Sequence, residues 1–271
     1  MEWRNIYRGL LIGATDLIPG VSGGTLAIML GIYDRLLEAI SGFFSREWKR
    51  HIGFLIPLAV GMGTALILLS RLIKYLLAHH YEPTQFFFVG LIIGIVPFLL
   101  KQSDAKRNFS KRHIIMMLVA VVLAASLAFL PTDNSAEPIT SLSFLTILGL
   151  FFSGWLASMA MLLPGISGSF VLLLLGVYPT AIHALSELNV PLIATIGAGV
   201  IIGFIVSSKG IRYLLSHYSH TTYAVIIGLI FGSVAVVFPG FPSHIETIAV
   251  SAVTFVAGLS LALAFGSRTR P

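Results

Sequence analysis

The chain has no cysteine in 271 residues, which excludes disulfides, thiol catalysis and cysteine-ligated metals. Charge is scarce too: Asp, Glu, Lys and Arg make up 10% of the sequence, against 56% hydrophobic residues and a mean hydropathy of +0.95. A soluble domain of this length is excluded by that balance. Alternating ten-residue strands are missing, and the apolar stretches are long and continuous. Several approach or exceed the roughly 20 residues that cross a bilayer as a helix, so an outer-membrane barrel is excluded as well. Two arginines, Arg4 and Arg8, lead into the first apolar stretch as in a secretion signal. No small-residue cleavage pattern follows, so this stretch is expected to stay in the mature protein.

What is present is duplicated. Pro19-Gly20-Val21-Ser22-Gly23 returns as Pro164-Gly165-Ile166-Ser167-Gly168, each time inside an apolar run where proline and glycine break a helix. At this offset of 145, residues 19–33 and 164–178 are identical at 7 of 15 positions, and both end in Leu-Gly-x-Tyr. A second block, 71–94, matches 209–232 at 10 of 24 positions. Duplicated, interrupted apolar helices point to the binding site of a transporter.

The segments read as a broken helix over about 6–33, then spans near 52–78, 85–100 and 113–130. A second broken helix follows over about 143–177, then spans near 190–215, 222–238 and 246–266. If each broken helix is a re-entrant hairpin, each half crosses the membrane three times and the second half is inverted. The expected fold is thus an all-α integral membrane protein of two inverted-topology repeats, 1–131 and 142–271, each with one re-entrant broken-helix hairpin and three transmembrane helices. The segment between Tyr33 and Ile52 is expected to form an interfacial helix.

Basic residues test the inversion, because short cytoplasmic loops are enriched in them. Thirteen of the 17 fall on segments this scheme puts inside, such as Arg46, Lys49, Arg50, Lys106, Arg107, Lys111 and Arg112. The outer loops carry none and hold Glu82, Asp133, Glu137 and Glu187 instead. Both termini come out cytoplasmic. The isoelectric point of about 9.7 is therefore a topology signal, not a nucleic-acid patch.

Four cations are left over: Arg71, Lys74, Lys209 and Arg212. They form two repeat-related pairs at i, i+3 spacing, one toward each membrane face. Snorkelling to the interface is the plain alternative. Helices restarting at Gly23-Gly24 and Gly168-Ser169 offer unpaired N–H groups to an anion, with Ser22 and Ser167 as caps or donors. Together these residues suggest a membrane-embedded phosphate site whose ligand carries a lipid tail, with Pro19, Gly20, Pro164 and Gly165 as the helix breaks. Asp16, whose counterpart is Met161, is the acidic residue deep in an apolar run and is expected to serve coupling or gating, or to cap the broken backbone. His79, His217 and His220 sit at helix ends without a carboxylate cluster and are read as loop histidines, so no metal and no cofactor is expected.

Enzyme readings fit less well. Gly20-Val21-Ser22-Gly23-Gly24 has the G-x-S-x-G form of a nucleophile elbow but lacks the preceding strand, and its copy ends in Ser169. The G-x-S-G of a rhomboid protease needs a histidine on another span, and none lies mid-span. An undecaprenyl-pyrophosphate phosphatase would need more acidic residues and a histidine near the motif.

Gly13-Ala14-Thr15-Asp16-Leu17-Ile18-Pro19-Gly20-Val21-Ser22-Gly23-Gly24-Thr25, Leu30-Gly31-Ile32-Tyr33 and Leu163-Pro164-Gly165-Ile166-Ser167-Gly168-Ser169 carry a family resemblance. The chain resembles, over essentially its whole length, the PopT-type undecaprenyl-phosphate translocases, a bacterial polytopic membrane family formerly of unknown function. The resemblance implies a non-enzymatic inner-membrane flippase that returns undecaprenyl phosphate to the cytoplasmic leaflet, where the carrier is reused for peptidoglycan and other envelope polymers. Its partners are then the lipid substrate and membrane lipids, and a homo-oligomer is compatible with the reading. The alternatives are a polyprenyl-pyrophosphate phosphatase and a transporter of small anions.

Overall fold

The computed structural model describes residues 2–16, 22–43, 45–130, 139, 143–187 and 189–268, and among these every regular element is helical. The chain begins with α1 (Asn5–Asp16), breaks, and resumes as two short helices, α2 (Gly23–Met29) and α3 (Tyr33–Ser41). Two long helices follow, α4 (Trp48–His79) and α5 (Tyr81–Gln102), then α6 (Ala105–Asn108) and α7 (Lys111–Ser126), which a 3-10 turn extends to Phe129. The order then recurs as α8 (Phe144–Leu162), a break, α9 (Gly168–Leu174), α10 (Tyr178–Ser186), α11 (Val190–His217), α12 (Ser219–Val237) and α13 (Ile245–Arg268).

Among the described residues, seven helices are long and apolar enough to cross a membrane: α4, α5, α7 with its turn, α8, α11, α12 and α13. Six of them fall on the expected spans. The seventh, α8, was expected only as one arm of a broken hairpin. Its 19 residues carry no charge, whereas α1 has 12 and includes Arg8 and Asp16. The interfacial helix expected before Ile52 is shorter than that interval, ending at Ser41, and α10 was not foreseen.

The repeated sequence blocks become repeated local geometry. Gly31 and Gly176 both take the left-handed conformation, with φ of 66° and 67°. Each closes its short helix with the same pair of bonds: Gly31 N–H to Ile28 O and Ile32 N–H to Ala27 O, Gly176 N–H to Leu173 O and Val177 N–H to Leu172 O. This glycine-ended turn satisfies two orphan carbonyls and frees Tyr33 and Tyr178 to start the next helix. The second block makes corners. A single residue, His80 or Tyr218, separates the paired long helices, and its carbonyl accepts from the hydroxyl of Thr84 at 2.7 Å or Thr222 at 2.9 Å.

Close backbone approach sets the packing, as it must where lipid removes the hydrophobic drive between helices. α1 lies on α4, with Gly9 against the Leu58 carbonyl and Gly61 against that of Ile6; α8 lies on α11 through Gly154 and Gly199 in the same manner. The other two extensive pairs cross between the halves. α5 packs on α13 through Gly90, Gly94 and Gly258, and α12 packs on α7 through Gly228 and Gly232. The largest core cluster centres on α2, drawing in Phe54, Ile92, Ile95, Leu99, Ile226 and Ile230. Packing is uneven in one respect: α3 lies along α11, whereas α10 has no comparable packing on α4 among the described residues.

Candidate functional site

The two helix breaks meet at one cavity of about 200 Å³. Asp16, Ser22 and Gly23 contribute one side, and Met161, Ser167, Gly168 and Ser169 the other, with Ala157, Ile166, Leu172 and Val200 completing an apolar wall. Positions 16 and 161, 22 and 167, and 23 and 168 are related by the offset of 145, so both copies present the same three positions to the same space. A residue pattern separated by more than half the chain is thus brought together.

Within this cavity the two copies are bonded differently. The Gly23 N–H at the start of α2 donates to Asp16 Oδ1 at 3.0 Å. The helix end expected to be open to an anion is answered by the chain's own carboxylate, which is the capping role foreseen as the alternative for Asp16. Neither serine caps its helix. Ser22 Oγ instead donates to Leu163 O at 3.3 Å, and Ser167 Oγ shares a hydrogen bond with Ser169 Oγ at 2.9 Å. Gly24 does not line the cavity; it is buried where a Cβ would lie 3.1 Å from Met161 O and 3.3 Å from Leu162 O, so it serves close packing. Pro164 and Gly165 are buried, and Gly165 has a φ of +91° with a Cβ position only 2.6 Å from the Leu229 backbone, so glycine is required there. Pro19 and Gly20 lie outside the described residues.

Two further residues of the first segment hold the second break. Thr25 Oγ1 accepts from Gly165 N–H at 2.9 Å, and Tyr33 Oη donates to Leu162 O at 2.8 Å. Sequence reasoning did not assign them, although Tyr33 stood in a repeated motif and could have been singled out on that ground. Thr25 has Phe170 as counterpart and gave no repeat signal.

The cations are elsewhere. Arg71, Lys209 and Arg212 are exposed and none lines the cavity between the breaks; the side chain of Lys74 lies outside the described residues. Arg212 Nη1 donates to Ser41 Oγ at 2.7 Å. It lines a wider cavity of about 570 Å³ at the ends of α3, α11 and α12, together with Asp34, Arg35, Glu38, Ser216, Ser219 and Tyr223. There the Arg35 guanidinium bonds Glu38 at 2.8 Å and holds its carboxyl below the usual range, while burial pushes that of Asp34 up. The repeat-related histidines each stack on a tyrosine one turn earlier, Tyr75–His79 at 4.4 Å and Tyr213–His217 at 4.2 Å.

The arrangement is a small space between two polar, glycine-lined breaks inside an apolar bundle, with its one carboxylate engaged by a backbone N–H. The profile of the undecaprenyl phosphate translocase-like family matches residues 12–255. A polyprenyl-phosphate transporter of Staphylococcus aureus (strain NCTC 8325 / PS 47) is 45% identical over 99% of this chain and 97% of its own length. A polyprenyl-phosphate transporter of Vibrio cholerae serotype O1 is 34% identical over 88% of this chain and 79% of its own length. No solved structure matches the chain. With the family's profile covering most of the sequence and both breaks inside the match, the chain belongs to the undecaprenyl phosphate translocase-like family.

Proposed function

We propose that the protein moves undecaprenyl phosphate across the bacterial inner membrane and returns the carrier to the cytoplasmic leaflet for peptidoglycan and other envelope polymers. The observation that carries this reading is the single cavity shared by both Pro-Gly-x-Ser-Gly motifs. Ser22, Gly23, Ser167, Gly168 and Ser169 bind the phosphate there, and the cation pairs Arg71–Lys74 and Lys209–Arg212 receive it near the two faces. The halves 1–131 and 142–271 form inverted repeats whose re-entrant hairpins, α1–α2 and α8–α9, reach the cavity from opposite sides. Both termini are cytoplasmic in this scheme. The recurring element order and the equivalent positions around the cavity support it.

The reading is a translocase and not an enzyme. Among the described residues lining the cavity only Asp16 is ionisable, and its carboxylate is engaged by Gly23. Hydrolysis of a pyrophosphate needs an acid and a base within reach of the reacting oxygens.

Reconstituted vesicles with a fluorescent polyprenyl phosphate test the function. The protein should speed loss of protection from a membrane-impermeant quencher well above that in empty vesicles; equal rates overturn the reading. Release of inorganic phosphate from undecaprenyl pyrophosphate would turn it toward the phosphatase, and uptake of free phosphate toward a small-anion carrier. Topology is checked with single cysteines, which the absence of native cysteine makes clean. Lys106→Cys should label only from the cytoplasmic side and Ser243→Cys only from outside.

A further inference from the structure

Resting on the polyprenyl-phosphate reading above, we infer that the protein has a second headgroup station. The 570 Å³ cavity at the ends of α3, α11 and α12 takes the phosphomonoester, which enters sideways from the bilayer over Arg212 and Ser216.

Three cavities join in series through shared walls. The outermost, about 290 Å³, is lined by Lys209, Arg212, Tyr213 and Ser216, four residues on one face of α11. Val206, one turn before Lys209 on α11, is 48% exposed beside it, so the groove opens on the outer surface of that helix. Arg212 and Ser216 belong to this groove and to the wider cavity alike, so they form the sill between them. The wider cavity in turn shares Asp34, Leu215 and Tyr223 with a pocket of about 40 Å³ that reaches Ile28 and Tyr33. Ile28 lies on α2, whose first residue lines the cavity between the breaks, and Tyr33 bonds the Leu162 carbonyl at the second break. The route therefore runs from a lipid-exposed groove to the back of the helix that guards the central site. The wide cavity and the central one share no wall residue, so they are two stations.

Charge placement fits a phosphomonoester. Among the described residues Arg212 forms no ion pair, and its one hydrogen-bond partner is the neutral hydroxyl of Ser41. Glu38, on the same cavity wall, is already taken by Arg35. A guanidinium resting on a hydroxyl keeps its charge for an incoming phosphate, which offers shorter, charge-assisted and bidentate bonds in exchange. Ser219 supplies a further hydroxyl from α12. Asp34 and Glu38 on the α3 wall oppose a dianion, so the station holds the headgroup loosely and passes it on. Free phosphate has the same chemistry as the lipid headgroup; the lipid-exposed groove favours the lipid.

The test is equilibrium binding of labelled farnesyl phosphate, and separately of inorganic phosphate, to the purified full-length protein in detergent. Arg212→Gln should weaken farnesyl phosphate binding about tenfold or more, the loss expected of a hydrogen bond to a charged group. Ser41→Ala, which removes the competing hydroxyl, should tighten it a few-fold. If Arg212→Gln does not fold, Ser219→Val is read in its place and should weaken binding a few-fold. Parallel weakening in Ser41→Ala and Arg212→Gln marks a structural latch and overturns the station. Displacement of farnesyl phosphate by an equal concentration of inorganic phosphate overturns the lateral lipid route. Wild-type protein that neither binds farnesyl phosphate nor moves polyprenyl phosphate sinks the functional reading itself. Wild-type protein that moves the lipid, with Arg212→Gln and Ser41→Ala binding as wild type does, overturns the station alone.

Discussion

Six of the seven residues of α2 are buried, against one of the seven of α9, although both helices follow Ser-Gly and end on Leu-Gly. The shared motif sets the shape of each break, and the residues that differ around it set the role. Asp16 closes the start of α2, and its counterpart Met161 brings no acceptor to α9. Thr25 and Tyr33 reach from the first segment to the second break, whereas Phe170 has no hydroxyl and, among the described residues, Tyr178 forms no side-chain hydrogen bond. The first short helix is keyed into the core, and the second break is held by it. In the same sense α3 lies along α11, while α10 has no comparable packing on α4 among the described residues. Sequences identical at 7 of 15 positions thus make one fastened and one looser arm.

The largest effect expected on this contrast comes from Gly165→Ala. Left-handed strain and a collision with the Leu229–Ile230 backbone together should cost about 2–5 kcal/mol, read as loss of thermal stability in detergent. Gly176→Ala has a similar φ of +67° but open space around it, so about 1–2 kcal/mol is expected. Equal losses at the two positions would show that strain alone decides.

Met161→Asp would make the two sides of the cavity alike. A second carboxylate on the cavity wall repels a phosphate, so translocation should fall by an order of magnitude or more. A variant that transports at the wild-type rate would break the idea that the asymmetry at this position matters.

Asp16 separates charge from capping. Asp16→Ala removes the acceptor for Gly23 and should lower stability by about 0.5–2 kcal/mol. Asp16→Asn keeps an acceptor, so stability should hold while net translocation drops. Normal transport by Asp16→Asn across the pH range leaves this residue a cap and nothing more.

The smallest contrast is between the paired tyrosines. Tyr33→Phe loses the bond to Leu162 and should cost about 0.5–1.5 kcal/mol. Tyr178→Phe should change stability by less than about 0.5 kcal/mol. A larger loss at Tyr178 would reverse the assignment of the fastened arm.

The helices were legible because hydropathy and glycine punctuation act over a few residues. The spans seen as α4, α5, α7, α11, α12 and α13 could be placed from apolar runs, whereas the turns at Gly31 and Gly176 lay unread inside the two expected broken helices. Serines 22 and 167 and glycines 23 and 168 could be named as one site because they recur in register, and they do line one cavity. The full span of α8 was hidden by the same repeat, since α1 offered a shorter template.

By itself, then, the sequence determined an all-helical chain with membrane-length spans, two breaks and the residues that make them, since each depends on local periodicity and backbone preference. Tertiary structure alone decided that Arg212 rests on Ser41 away from the central cavity, and that α2 is enclosed while α9 is not. It also chose the partners of Ser22, Thr25 and Tyr33, which lie 141, 140 and 129 residues away. Such choices follow from which carbonyl or N–H the packed bundle leaves unsatisfied at a given point, and no local pattern carries that information.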